Sequence, residues 1–117
     1  MKKLNKIMLA LSILPTLLTS VFLFFMNDTV PMHYNASGAV DRYGSKYENF
    51  ILPAIILFMY AFYIVYTKIY TKYSTNSVEK INNNVKITAI LVTSIIAAFN
   101  ILQLMFLILA ILKCRSL

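Results

Sequence analysis

The chain has 117 residues, of which 60% are hydrophobic and 13% charged, and its mean hydropathy is +0.73. That balance excludes a disordered chain, a collagen-like repeat and a disulfide scaffold, and it departs from a soluble domain, which is about a quarter charged. A net charge of +7 would suggest nucleic acid on a soluble domain, but beside so much apolar sequence it fits the lysine bias that orients membrane proteins.

The first apolar run covers residues 7–26 and contains no charged side chain. Twenty residues of helix at about 1.5 Å each match a hydrocarbon core of about 30 Å. Lys2, Lys3 and Lys6 precede the run in the manner of a signal peptide, yet no small-residue cleavage site follows it. It reads as an uncleaved signal anchor. Pro15 lies mid-span and should kink the helix. Ser12, Thr16, Thr19 and Ser20 recur at helical spacing and form a hydroxyl stripe suited to helix packing.

Residues 27–49 form a loop holding the one histidine, both glycines and three of the four acids. Gly38 and Gly44 are expected to supply turns, and Pro31 to stop the first helix. The alternation Val30, Met32, Tyr34 is too short to establish a strand. Tyr34, Tyr43 and Tyr47 suit a compact loop packed on a bilayer surface. His33, Asp41 and Glu48 lack the spacing of a metal site, which normally uses several His or Cys. Ser37, His33 and Asp41 lack the scaffold and oxyanion motif of a nucleophilic triad. His33 therefore reads either as a hydrogen-bonded turn residue or as a pH-sensitive contact.

The second run covers residues 50–70, with Pro53 tolerated in its first turn. Its tyrosines Tyr60, Tyr63, Tyr66, Tyr70 and Tyr73 recur every three to four residues. The later ones fit an interfacial belt, and Tyr60 and Tyr63 are expected to bond a neighbouring helix. Residues 71–86 read as a polar connector, in which Ser77 offers a cap for a short amphipathic turn from Val78 to Asn82.

The third run covers residues 87–112. Ala89, Thr93 and Ala97 at four-residue spacing favour close helix approach, and Asn100 and Gln103 need hydrogen-bond partners in lipid. Packing within a three-helix bundle accounts for them, with a polar pocket or a dimer seam as the alternative. Lys68, near the inner end of the second run, is the one charged residue inside a run and no histidine lies in one, which disfavours a proton relay or ion pump. Cys114 is the single cysteine and reads as inert rather than palmitoylated.

Lysine and arginine counts set the expected orientation. With the N-terminus cytoplasmic, the inner segments hold seven lysines and one acid, and the outer segments hold four bases and three acids. The bias predicts an inner N-terminus and an outer C-terminus. The fold class expected is an all-α integral membrane protein of one membrane domain, residues 1–117, with three spans and an ordered extracytoplasmic loop.

The run Pro31-Met32-His33-Tyr34-Asn35-Ala36-Ser37-Gly38, followed by Asp41-Arg42-Tyr43-Gly44-Ser45-Lys46, resembles a domain of unknown function (DUF1648) of bacterial membrane proteins. That family reads proline, any residue, histidine, an aromatic, Asn or Asp, two residues and glycine, then a D-x-aromatic-G-S-K-like stretch. The resemblance covers roughly residues 9–70. The same domain begins SdpI-type immunity proteins, which protect a toxin producer from its own membrane-active peptide and in one case hold a repressor at the membrane. The larger immunity proteins carry further spans that this sequence lacks.

The resemblance implies a small, non-enzymatic, multi-pass protein of the bacterial plasma membrane, without a cofactor or a nucleic-acid partner. Its loop motif, Pro31, His33, Tyr34, Asn35, Gly38, Asp41, Arg42, Tyr43, Gly44 and Lys46, would meet a peptide toxin at the lipid surface. The alternative is a regulatory or accessory subunit that binds another membrane protein, a transporter or a repressor. Either can form homo-oligomers, since a bundle of this size buries little surface.

Overall fold

The computed structural model describes residues 2–115, with side chains described for 3–112; the expectation for Cys114 and the charges of Lys113 and Arg115 lie outside the described side chains. Three helices dominate: α1 (Lys2–Phe22), α2 (Ile51–Tyr73) and α3 (Val78–Arg115). Each contains a stretch long and apolar enough to cross a membrane, within Lys3–Phe25, Lys46–Tyr73 and Val78–Leu112. The structure is therefore mostly helical with three candidate spans, as the hydropathy requires.

The segment between α1 and α2 differs from an all-α expectation. It contains an antiparallel hairpin of β1 (Thr29–Tyr34) and β2 (Val40–Ser45). The alternation at Val30, Met32 and Tyr34 is a real strand after all. Sequence patterning undervalued it because a pair of six-residue strands is stable only when packed on something else. Here α3 provides that support: Val30 is fully buried with Met26, Leu107 and Ala110.

Pro31 does not end the helix. α1 stops at Phe22, a 3₁₀ turn continues over Leu23–Phe25, and Met26 is already extended. Pro31 sits inside β1, opposite Tyr43, with register irregularities on the following residues. A two-stranded sheet consists only of edges, so a proline there need not break a ladder bond.

The connector between α2 and α3 is also shorter than expected. α2 runs to Tyr73 and α3 starts at Val78, leaving only residues 74–77 between them. Ser77 caps α3, accepting from the Lys80 amide at 3.2 Å through Oγ. The turn it begins continues through 38 residues of helix rather than ending at Asn82. Tyr70 Oη closes the connector, accepting from Asn84 Nδ2 at 2.7 Å and Asn76 Nδ2 at 3.2 Å. This tyrosine is a structural acceptor as well as a stacking partner of Tyr66.

Two clusters make the core. Met8, Ile56, Tyr63, Ala89 and Ile96 pack where all three helices meet. Tyr63 also donates to Asn5 Oδ1 of α1 at 3.1 Å, the interhelical bond that its depth in the span requires. Met26, Val30, Leu107 and Ala110 join the hairpin to the later part of α3.

Polar side chains tie α3 to α1. Pro15 has no amide hydrogen, so it cannot donate to the Leu11 carbonyl one turn earlier. Asn100 Nδ2 donates to that carbonyl at 2.9 Å, and also to Ile96 of its own helix at 2.9 Å. The proline thus opens an acceptor on α1, which a polar residue on a neighbouring helix fills here. Gln103 Nε2 donates to Thr19 Oγ1 and to the Asn49 carbonyl, each at 2.9 Å. One amide therefore links α3, α1 and the 3₁₀ turn that precedes α2.

The hydroxyl stripe of α1 is only partly an interface. Ser12 and Thr19 are buried, Thr16 is half-buried and Ser20 is exposed. Ser12 and Ser20 return their hydroxyls to carbonyls of their own helix, those of Met8 and Thr16. Ala89 is buried while Thr93 and Ala97 are half-buried, consistent with close helix approach along that row.

Candidate functional site: the hairpin and the groove beneath it

The motif residues come together because an asparagine organises the turn. Asn35 Oδ1 accepts from the Ser37 amide at 3.0 Å, the Ser37 hydroxyl at 2.7 Å and the Ala39 amide at 3.0 Å. The Asn35 amide in turn donates to the Ala39 carbonyl at 2.8 Å. A short polar side chain that mimics backbone is the usual reason for asparagine at a turn. Gly38 completes it with φ of +84°, a conformation that costs an L-residue about 1–2 kcal/mol. The Ser37 hydroxyl is thereby committed to the turn.

Gly44 serves a different purpose from the one expected of it. It lies in β2, not in a turn, and a Cβ there would overlap the Glu48 carboxylate and meet Met32 Cγ at 2.8 Å. Glycine is needed because the residues after β2 fold back against the strand. Ser45 starts that return, accepting from the Tyr47 amide at 3.2 Å as the cap of a 3₁₀ turn over Lys46–Phe50.

All three acids of the segment are paired within it. Asp41 Oδ1 lies 2.6 Å from His33 Nδ1, and an ionised carboxylate can only accept, so the imidazole Nδ1–H donates. Arg42 reaches Glu48 Oε1 at 3.4 Å, and Lys46 reaches Asp28 at 3.6 Å. The His33 and Asp41 side chains are 66% and 43% exposed, which makes theirs a surface pair worth about 0–1 kcal/mol. Among the described residues, no group of three or more His, Cys, Asp or Glu is arranged to hold a metal.

The tyrosines of the segment divide. Tyr43 and Tyr47 are exposed, and with Phe24 and Phe25, which are 88% and 64% exposed, they give the end of the bundle an aromatic surface. Tyr34 is half-buried and turned to α3, where it lines an open groove of about 410 Å³ with Leu102, Met105 and Phe106. A second groove, of about 220 Å³, shares Leu102 and Phe106 and carries Met32, Arg42, Glu48 and Gln103 on its walls. Two open grooves therefore lie between the hairpin and α3, an apolar one beside Tyr34 and a partly charged one beside Arg42 and Glu48.

Pro31, His33, Tyr34, Asn35, Gly38, Asp41, Arg42, Tyr43, Gly44 and Lys46 all fall within or beside the hairpin, while Asn100 and Gln103 lie between helices. Two residues of the site take roles that the sequence does not signal. Glu48 supplies the partner for Arg42. Asn49 is buried, donates to the Lys46 carbonyl at 2.9 Å and to Met26 Sδ at 3.6 Å, and receives Gln103. A polar residue directly before an apolar run was the only available hint.

The matched relative is an uncharacterized protein of Archaeoglobus fulgidus, 42% identical over 67 residues, which is 57% of this chain and 35% of the relative. The chain thus spans about a third of that protein's length. No solved structure matches the chain significantly. The family model described as Domain of unknown function (DUF1648) matches residues 10–57, which run from α1 through the hairpin to the early turns of α2. The match ends before residue 70 and before α3, the helix on which the hairpin rests. Residues 10–57 of this chain, with the proline, histidine, asparagine and glycine motif at the hairpin, are therefore the part that is similar to the domain of unknown function DUF1648.

Proposed function

We propose that this is a small, non-enzymatic protein of the bacterial plasma membrane that protects the cell against a membrane-active peptide, with the hairpin facing outward as the element that meets the peptide. The N-terminus is then cytoplasmic and the C-terminus extracytoplasmic, in line with the lysine bias. The observation that carries the reading is the exposed aromatic surface of Phe24, Phe25, Tyr43 and Tyr47 at the hairpin end of the bundle.

An amphipathic peptide approaching lipid presents an apolar face, and large rigid aromatics bind such a face at little entropic cost. Because His33, Arg42 and Lys46 already pair with Asp41, Glu48 and Asp28, the hairpin has little free charge to offer. Recognition in this reading is aromatic and shape-based rather than a net attraction for a cationic peptide. The ordered turn at Asn35 reduces the entropy lost on binding.

Survival of cells exposed to membrane-active peptides, with and without this chain, tests the proposal. Expression should raise the tolerated dose, and Tyr43→Ala with Tyr47→Ala should abolish the gain while leaving membrane levels intact. Equal survival with and without the chain across a panel of such peptides would refute it.

A further inference from the structure

We propose that Lys3, Lys68 and Lys86, one from each helix, form a binding surface for anionic phospholipids at the connector end of the bundle, with their ammonium groups on the lipid phosphates. This goes beyond the protective role, does not depend on it, and holds whichever leaflet that end faces.

Two interhelical hydrogen bonds set the three lysines at one depth. Tyr70 of α2 is bonded to Asn84 of α3. Lys68 and Lys86 each lie two residues from that pair on its core side, about 3 Å along the axis. Tyr63 of α2 is bonded to Asn5 of α1. Lys3 lies about 3 Å and Lys68 about 7.5 Å from that second pair, both toward the connector. The three residues therefore agree in depth to within about one helical turn.

At the same depth charge gives way to apolar sequence on every helix. Lys6, Lys68 and Lys86 bound the uncharged stretches 7–26, 50–67 and 87–112. The hydrocarbon of a bilayer thus ends at this layer, and the headgroups begin there. A lysine stem is long and apolar enough to lie along the acyl region while its ammonium reaches a phosphate.

The layer is positive and unneutralised. Lys3, Lys6, Lys68 and Lys86 are exposed, and among the described residues the ion pairs all lie in the segment between α1 and α2. Glu79 is the one acid at the connector end, seven residues from Lys86, or about 10 Å along α3. Lys72 and Lys80 add positive charge about 6 and 9 Å further out than Lys68 and Lys86. Cations held at the edge of hydrocarbon favour an anion that is itself anchored there, which a nucleic acid or an acidic protein is not.

The chain contains no tryptophan, so one can be placed as a reporter. Ile69→Trp puts it beside Lys68 on an exposed face, and Phe24→Trp puts one at the hairpin end. Each full-length variant is reconstituted in phosphatidylcholine vesicles that contain, in both leaflets, phosphatidylglycerol or phosphatidylcholine brominated near the headgroup end of the acyl chains, and quenching is compared. The Ile69→Trp reporter should favour phosphatidylglycerol by roughly fivefold in relative affinity, the effect of about one lysine on an anionic lipid. Lys3→Gln, Lys68→Gln and Lys86→Gln together should remove that preference while far-ultraviolet circular dichroism stays unchanged, and the Phe24→Trp reporter should show none. Equal quenching by both lipids at Ile69→Trp would overturn the proposal and leave the lysines with orientation alone. A preference that survives the three substitutions, or that is as large at Phe24→Trp, would overturn it as a diffuse attraction. Weak quenching by both lipids at Ile69→Trp, with normal quenching at Phe24→Trp, would overturn it too and would mean that a protein covers this face.

Discussion

The pairing of Pro15 with Asn100 makes a quantitative prediction. Replacing Asn100 by leucine keeps the side-chain size but leaves the Leu11 carbonyl without the donor it now has at 2.9 Å. Pro15 prevents α1 from supplying one itself. Interhelical hydrogen bonds in membranes average about 0.6 kcal/mol and reach about 1.7. The orphaned carbonyl places Asn100→Leu at the upper end, at about 1–2 kcal/mol of lost stability. Pro15→Ala restores an amide that can reach Leu11 along α1, so Asn100→Leu in that background should cost about 1 kcal/mol less. The measurement is a double-mutant cycle on protein in bicelles, using steric trapping or denaturing detergent with far-ultraviolet circular dichroism as the readout. If the two substitutions add to within about 0.5 kcal/mol, the proline and the asparagine are independent and the reasoning is wrong.

Other outcomes follow from the same geometry. Gln103→Leu should destabilise by about 1–3 kcal/mol, because Thr19 Oγ1 and the Asn49 carbonyl lose their shared donor, and hydrogen exchange should show the start of α2 loosened with it. Gly44→Ala should cost about 1–3 kcal/mol through the overlap with Glu48 and Met32, and Gly44→Ala with Glu48→Ala should recover part of that in the same unfolding assay. Gly38→Ala meets open space and should cost only the strain of its positive φ, about 1–2 kcal/mol. His33→Ala should change stability by less than about 1 kcal/mol, since its pair with Asp41 is solvent-exposed; a larger loss would give the imidazole a structural role that the geometry does not.

Much of the molecule was legible before its coordinates. Spans are readable because lipid imposes a length and an apolar composition that soluble folds do not need. Asn100, Gln103 and Tyr63 were identifiable as interhelical donors, since a polar group at that depth must find a partner. The partners themselves were not: the Leu11 carbonyl and Asn5 are distant in sequence from the residues that use them. The motif at residues 31–46 marks the candidate site, but a glycine in a loop signals a turn by default and only Gly38 makes one. Gly44 is required by the close return of Glu48, a tertiary fact.

The sequence by itself determined three membrane-length helices, the direction of the charge bias, and a chemically rich segment between the first two, because hydropathy and charge are sums over local residues. Only the tertiary structure decided that this segment is a hairpin. β1 and β2 are too short to hold together alone, and Val30 becomes a core residue only against Leu107 and Ala110 of α3, far along the chain. The same contact leaves two grooves between hairpin and helix and brings Arg42 and Glu48 onto the wall of one of them. Distance in sequence hid both, since nothing in a linear pattern states which surplus turns of one helix will carry the loop that precedes another.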